Sequence, residues 1–168
     1  MNKLILLTEI LKLLDAIKLS AVKAANQAHE TATHSETVAR SKYETFGLEA
    51  SYLAHGQAQR VAECTMDLKA FTELNLCAFN DGKSIGLGAL VVIMDEKDDE
   101  QFLFIGPGAG GLKFSVTVDI QASPEQVEVM IITPSSPLGC ALMGRGLDDI
   151  VAINIGDNRK EYEIVAVY

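Results

Sequence analysis

The feature that most restricts this chain is an unbroken heptad pattern. Leu4, Leu7, Leu11, Leu14, Lys18, Ala21, Ala25 and Ala28 follow one another in steps of three and four, with no glycine or proline among them. A seam of this kind needs a second helix to cover it, because a single apolar stripe on a lone helix stays in water. The chain supplies one: Ala54, Gln57, Val61, Cys64, Leu68 and Phe71 repeat the stepping, and no proline occurs before Pro107. Between the seams Thr31-Ala-Thr-His-Ser-Glu ends the apolar pattern with hydroxyl and β-branched residues, which favour caps and turns over helix interiors. The expectation is an antiparallel coiled-coil helical hairpin over residues 1–76 with its tip at about residues 30–46, bulky in leucine at the base and narrow in alanine at the tip. A helix over residues 2–32 spans about 45 Å. A slender rod with a polar tip suits insertion into a cavity, and a dimerising coiled coil carries the same pattern.

After Leu76 the pattern changes to short apolar runs at 89–94, 101–105, 114–120, 126–133, 149–155 and 162–168, rich in Val, Ile, Phe and Tyr. Strict alternation in Lys113-Phe-Ser-Val-Thr-Val-Asp-Ile marks strands. Residues 95–100, 106–111 and Gly156-Asp-Asn read as turns, and Pro137-Leu-Gly-Cys-Ala-Leu-Met-Gly is long enough for one short helix with a glycine stop. The fold class is therefore α+β, the hairpin being followed by a β-rich domain with one short helix over residues 79–168.

Charge excludes one class of partner. Residues 1–78 hold 8 basic and 9 acidic side chains, residues 79–168 hold 6 and 14, and the whole chain of 168 residues carries a net charge of -9. A protein that neutralises duplex phosphates with its own surface needs the opposite balance. The apolar start of the chain breaks at Thr8 and Glu9, short of a secretory signal, and no stretch reaches the roughly 18 apolar residues of a spanning helix. The expected location is cytoplasmic, with no membrane partner. Cys64, Cys77 and Cys140 lie far apart without the paired spacing of a zinc site, which makes them buried or idle thiols.

Several motifs invite chemistry and have plainer readings. Gly106-Pro-Gly-Ala-Gly-Gly matches a dinucleotide fingerprint but leads into an alternating strand rather than a helix, so it reads as a turn. His29, His34 and His55 have spacings that fit no familiar metal motif, and no nucleophile elbow occurs. Glu30, Glu36 and Glu44 flank the tip, with Arg40 and Lys42 among them. Carboxylates at the end of a probe can hold a hard cation such as Mg²⁺, or simply keep a loop solvated.

Ser136-Pro-Leu-Gly-Cys-Ala-Leu-Met-Gly-Arg-Gly-Leu-Asp-Asp, with Ile85-Gly-Leu-Gly-Ala-Leu-Val upstream and Tyr162-Glu-Ile-Val-Ala-Val-Tyr at the close, resembles the Gre-type bacterial transcription elongation factors. The resemblance covers essentially the whole chain. It implies a helical hairpin followed by an FKBP-like domain, and binding to RNA polymerase as a monomer, with nucleic acid met only through the elongation complex. It also implies that Ser136, Pro137, Leu138, Gly139, Ala141 and Leu142 dock on the polymerase while the hairpin enters the secondary channel. Members that promote transcript cleavage, and so rescue stalled complexes, place an Asp and a Glu three residues apart at the tip. These help hold a second Mg²⁺ for the polymerase's own nuclease, so the factor is not itself an enzyme.

At the tip the correspondence is partial. Aligning Ser35-Glu36 with the family's Ser-Glu keeps Glu36 as the metal-holding candidate and puts Thr33 where the first acid belongs, leaving Glu30 or Glu44 as partners. Aligning on Tyr43 instead places Arg40 and Lys42 in the acidic region. The implied activity is promotion of cleavage; the alternative within the family is a channel-binding regulator that does not stimulate it. Outside the family, the FKBP-like architecture suggests a prolyl isomerase, which needs an aromatic-lined pocket, and the seams alone suit a plain coiled-coil interaction module.

Overall fold

In the computed structural model, the described residues are 3–33, 45–77, 79, 83–120, 123–156 and 158–168. Two long helices, α1 (Lys3–Thr33) and α2 (Thr45–Thr72), precede β1 (Leu90–Asp95), β2 (Glu100–Ile105), β3 (Lys113–Ile120), β4 (Ser123–Ile132), a short α3 (Pro137–Leu142), β5 (Ile150–Ile155) and β6 (Asn158–Val167). The chain divides into two compact units, one of residues 10–69 and one that joins residues 1–9 to residues 70–168. Division of the covalent chain at 76–79 therefore differs from division by packing: the first turns of α1 and the last of α2 belong with the sheet.

In the helical unit the α2 seam is the one read from the sequence. Cys64 is buried and Ala54, Gln57, Val61 and Leu68 are half-buried, with Ala50 buried one step earlier. On α1 the seam holds from Leu14 through Ala21 and Ala28, all buried, but not before it. Leu4 is 68% exposed and Leu11 only half-buried, while Leu6 and Ile10 are withdrawn from solvent. Two successive steps of four, from Leu14 back to Ile10 and Leu6, carry the buried line off the 3.5-residue seam and onto the neighbouring side of the helix. The change of face falls where α1 passes from the helical unit into the sheet unit.

The six strands form one mixed sheet in the order β3-β4-β2-β1-β6-β5. Every pairing is antiparallel except β2 with β4, which run parallel with Phe104 beside Ile131. A register shift between Val92 and Ile93 marks a bulge against β6. Both faces are buried. On one, Val91, Ile93, Leu103, Ile105, Val151, Tyr162 and Ile164 form the core together with Leu142, Phe79 and Ile85. On the other, Leu90, Val92, Phe104, Val129 and Ile131 are buried, and Phe71 stacks on Phe104 with ring centroids 6.2 Å apart. Gly106 lies so close beneath that a Cβ there would come within 2.6 Å of the Phe71 ring and 2.8 Å of Ile131. The glycine that opens the fingerprint-like run is thus a packing requirement. The Lys3 ammonium donates to the carbonyl oxygens of Cys77 and of Gly88 (3.4 Å) and sits 4.5 Å from the centre of the Phe79 ring. Burial lowers its pKa, against the opposing effect of the nearby Cys77.

Candidate functional site

Two regions carry the residues singled out from the sequence, and they differ in what the fold does with them. In the first, residues 133–149, Ser136 caps α3. Its hydroxyl accepts from the Gly139 amide at 3.1 Å and donates to the Thr133 carbonyl at 2.8 Å, and Pro137 takes the first helical turn, where a missing N–H costs nothing. Gly139 is obligatory: a Cβ would fall 2.0 Å from the Thr133 carbonyl oxygen. The helix ends when the Met143 amide bonds back to Gly139 and Gly144 turns with φ 79°. Gly144 then donates to the Ile85 carbonyl at 2.9 Å and Ile85 to that of Arg145 at 2.7 Å, which ties the segment to Ile85-Gly-Leu-Gly. Two stretches of the family resemblance, far apart in sequence, are thereby hydrogen-bonded neighbours.

Burial divides the six residues expected to dock. Gly139 and Leu142 are buried, and Leu138 and Ala141 pack against the core. Ser136 is half-buried and occupied with its cap. Of the six proposed contacts Pro137 alone is exposed. The outward side of α3 is Pro137, Cys140 and Met143, residues three apart, continued by exposed Arg145 and accompanied by Leu87 (41% exposed) and Leu147 (51%).

The second region is the hairpin tip. Glu30 is exposed in the last turn of α1, and the Thr33 hydroxyl donates to the His29 carbonyl at 2.9 Å, so the residue at the first-acid position is committed to its own helix. His34, Glu36, Arg40, Lys42, Tyr43 and Glu44 lie outside the described residues. Glu30 is the sole described carboxylate at the tip, and no group of three or more His, Cys, Asp or Glu among the described residues could hold a metal ion. One carboxylate is half of the pair that the family chemistry asks for; its candidate partners, Glu36 and Glu44, lie outside the described residues. Of the cysteines only Cys64 is buried; Cys77 and Cys140 are exposed, and the Cys140 thiol donates to the Pro134 carbonyl at 3.1 Å.

The isomerase alternative asks for an aromatic-lined pocket. One groove is lined by Glu100, Gln101, Leu103, Lys113, Glu128 and Met130 with a single aromatic, Phe102, and is crossed by the Lys113–Glu128 ion pair at 2.8 Å. A second holds Asp95, Glu96, Asp98, Glu161 and Glu163 around Met94, Ile150 and one aromatic, Tyr162. Asp95 there accepts from the Lys97 and Asp99 amides, which hold its carboxyl below the usual range. Among the described residues no helix is long and apolar enough to cross a membrane.

A two-helix hairpin followed by a mixed six-stranded sheet, with a Ser-capped Pro-Leu-Gly helix braced on its core, defines a two-part α+β class of protein. The chain is 25% identical over 162 residues to the transcription elongation factor GreA of Xanthomonas axonopodis pv. citri (strain 306), covering 86% of this chain and 93% of that one. It is 29% identical over 108 residues to GreA of Xylella fastidiosa (strain 9a5c), covering 64% of this chain and 60% of the relative, so this match spans less than two thirds of the relative's length. The chain is thus similar over most of its length to Gre-type elongation factors. Among solved structures it aligns with GreA factor homolog 1 (Gfh1) of Thermus thermophilus at 17% identity over 96% of this chain and 92% of that one, with a TM-score of 0.36. Gfh1 of Thermus aquaticus aligns at 21% identity over 96% and 93%, with a TM-score of 0.38. No family model matches the chain.

Proposed function

We propose that this protein binds RNA polymerase as a Gre-type elongation regulator, the sheet domain docking at the rim of the secondary channel and the hairpin directed toward the polymerase active site. The observation that supports this reading is the α3 brace: residues of the Ser136-Pro-Leu-Gly segment and of the Ile85-Gly-Leu-Gly segment resemble the family and are hydrogen-bonded together at one surface. Docking uses the outward side of that brace, Pro137, Cys140 and Met143 with Leu87, Leu147 and Arg145. Nucleic acid is met only within the elongation complex, as the acidic sheet domain requires, and the protein acts where the polymerase is, in the cytoplasm.

Within this reading the protein regulates without strongly stimulating cleavage. Thr33 stands at the first-acid position with its hydroxyl bonded to His29, and a threonine supplies no anionic ligand for a second Mg²⁺. Any cleavage chemistry belongs to the polymerase.

Two measurements test the proposal. In pull-down with core polymerase, Met143→Glu should weaken binding roughly tenfold or more, the scale of losing one anchor of an interface, with unchanged melting; binding equal to the natural protein's would remove the docking surface. On stalled elongation complexes the natural protein should add little cleavage, Thr33→Asp should raise it at least tenfold, and Glu36→Ala in that background should abolish the gain. Strong cleavage by the natural protein that is lost in Glu30→Ala would show that Glu30 completes the acidic pair.

A further inference from the structure

Leu87, one of the docking side chains, stands in a β-turn. Gly86 accepts from the Ala89 amide at 3.1 Å, and Gly88, the residue after Leu87, takes φ 82°, which glycine adopts without the strain another residue would bear. On one side the turn is tied to the α3 brace through Ile85, whose amide donates to the Arg145 carbonyl at 2.7 Å and whose carbonyl accepts from Gly144 at 2.9 Å. On the other the Gly88 amide donates to the Ile105 carbonyl at 2.8 Å. The Gly88 carbonyl accepts from the Lys3 ammonium at 3.4 Å. That ammonium also donates to the Cys77 carbonyl and lies 4.5 Å from the centre of the Phe79 ring, itself part of the core. One side chain of α1 thus gathers the segment leaving α2, the turn and the edge of the core.

This is a poor source of stability. Half-burying an ammonium costs hydration, and two carbonyls with a ring face do little more than return it. Lys83 brings a second ammonium to 5.3 Å from the same ring, and like charges repel. A methionine in place of Lys3 would fill similar space with no charge to desolvate. It would not, however, fix a distance, whereas a donor shared by two backbone carbonyls eleven residues apart holds them together.

We propose that Lys3 is a positioning residue for polymerase docking, its bonds to Cys77 and Gly88 fixing the turn that presents Leu87. This role rests on the docking surface described above, of which Leu87 is part, and adds the first turn of α1 to what shapes it. A loose Leu87 has to be ordered on binding, and that ordering lowers affinity even when every contact is eventually made.

Lys3→Met in the full chain, beside Lys23→Met as the same change of charge at an exposed site on the same helix, separates positioning from bracing. Lys3→Met should move melting by no more than about 2 °C. In NMR hydrogen exchange its Gly88 and Ala89 amides should exchange about tenfold faster, with the amides of β4 unaffected. Binding to core polymerase should weaken about fivefold or more, and Lys23→Met should change none of the three. Unchanged exchange at Gly88 and Ala89 overturns the proposal, as does a binding loss matched by an equal loss of stability, which would make Lys3 a brace. If exchange quickens but binding holds, the polymerase does not read the turn and the positioning role falls. A natural protein without affinity for core polymerase removes the docking surface and this role with it, and the exchange rates then tell whether the clamp itself exists.

Discussion

Residues 136–142, which carry the resemblance, and the tip of the hairpin, where it is partial, are held in opposite ways. In α3 nearly every residue answers a demand made by its neighbours: Ser136 must accept from Gly139, Gly139 must lack a Cβ, and Leu142 must fill the core. At the tip Glu30 is exposed and Thr33 bonds only to the turn before it. A match at α3 reports the scaffold, and the activity it serves has to be read from residues that the scaffold leaves free.

The most severe test of that contrast is Gly139→Ala. With the Thr133 carbonyl oxygen 2.0 Å from the added carbon, α3 cannot stay where it is, and the sheet domain should lose about 4 kcal/mol or more of stability, in the exceptional range for a point change. Thr33→Asp, its counterpart at the tip, should alter melting by no more than about 0.5 kcal/mol. Comparable losses in urea titrations would erase the distinction. Next in size, Leu14→Asp buries a charge in the hairpin seam and should cost about 3 kcal/mol, whereas Ala28→Ser farther along the same seam should cost about 1 kcal/mol. Near-equal costs would mean that the seam does not taper.

Ser136→Ala removes a cap whose hydroxyl both accepts and donates, and about 1 kcal/mol should go with it. A loss that appears in melting but leaves polymerase binding per folded molecule unchanged would sharpen the division between bracing and docking. The smallest effect concerns Asp95. Two amides hold its carboxyl below the ordinary range, so its contribution is complete above about pH 3.8, the unfolded value, and disappears as pH falls through the lower folded value. Asp95→Asn should thus melt slightly below the natural protein from neutral pH down to about 4, the gap closing only in stronger acid. A gap that widens on acidification would contradict the assignment.

Much of the fold was legible because it repeats locally. The α2 seam, the α1 seam from Leu14 onward, and all six strands follow from periods of 3.5 and 2, with strand ends displaced by a few residues. Leu6 and Ile10 were missed because the face they use changes where α1 leaves the hairpin unit, and no local pattern announces that. Nor does any repeat reveal that β2 lies parallel to β4, with β3 joined to the sheet only through β4. The candidate site was less legible. Sequence likeness cannot distinguish Leu142, which is similar because it is buried, from Met143, one residue on and exposed.

The sheet order has a consequence for biosynthesis. The neighbours of β1 are β2, its next strand in sequence, and β6, the last of the six, which itself separates β1 from β5. A chain emerging from the ribosome can zip β1 to β2 at once, yet the other edge of β1 stays bare until all the intervening strands have been made. Val91 and Ile93, which end fully buried, sit on that open edge meanwhile. Such an edge is a template for the wrong strand. The turn that follows β1 is Glu96-Lys-Asp-Asp-Glu, and charge beside an open edge is one way such mispairing is discouraged.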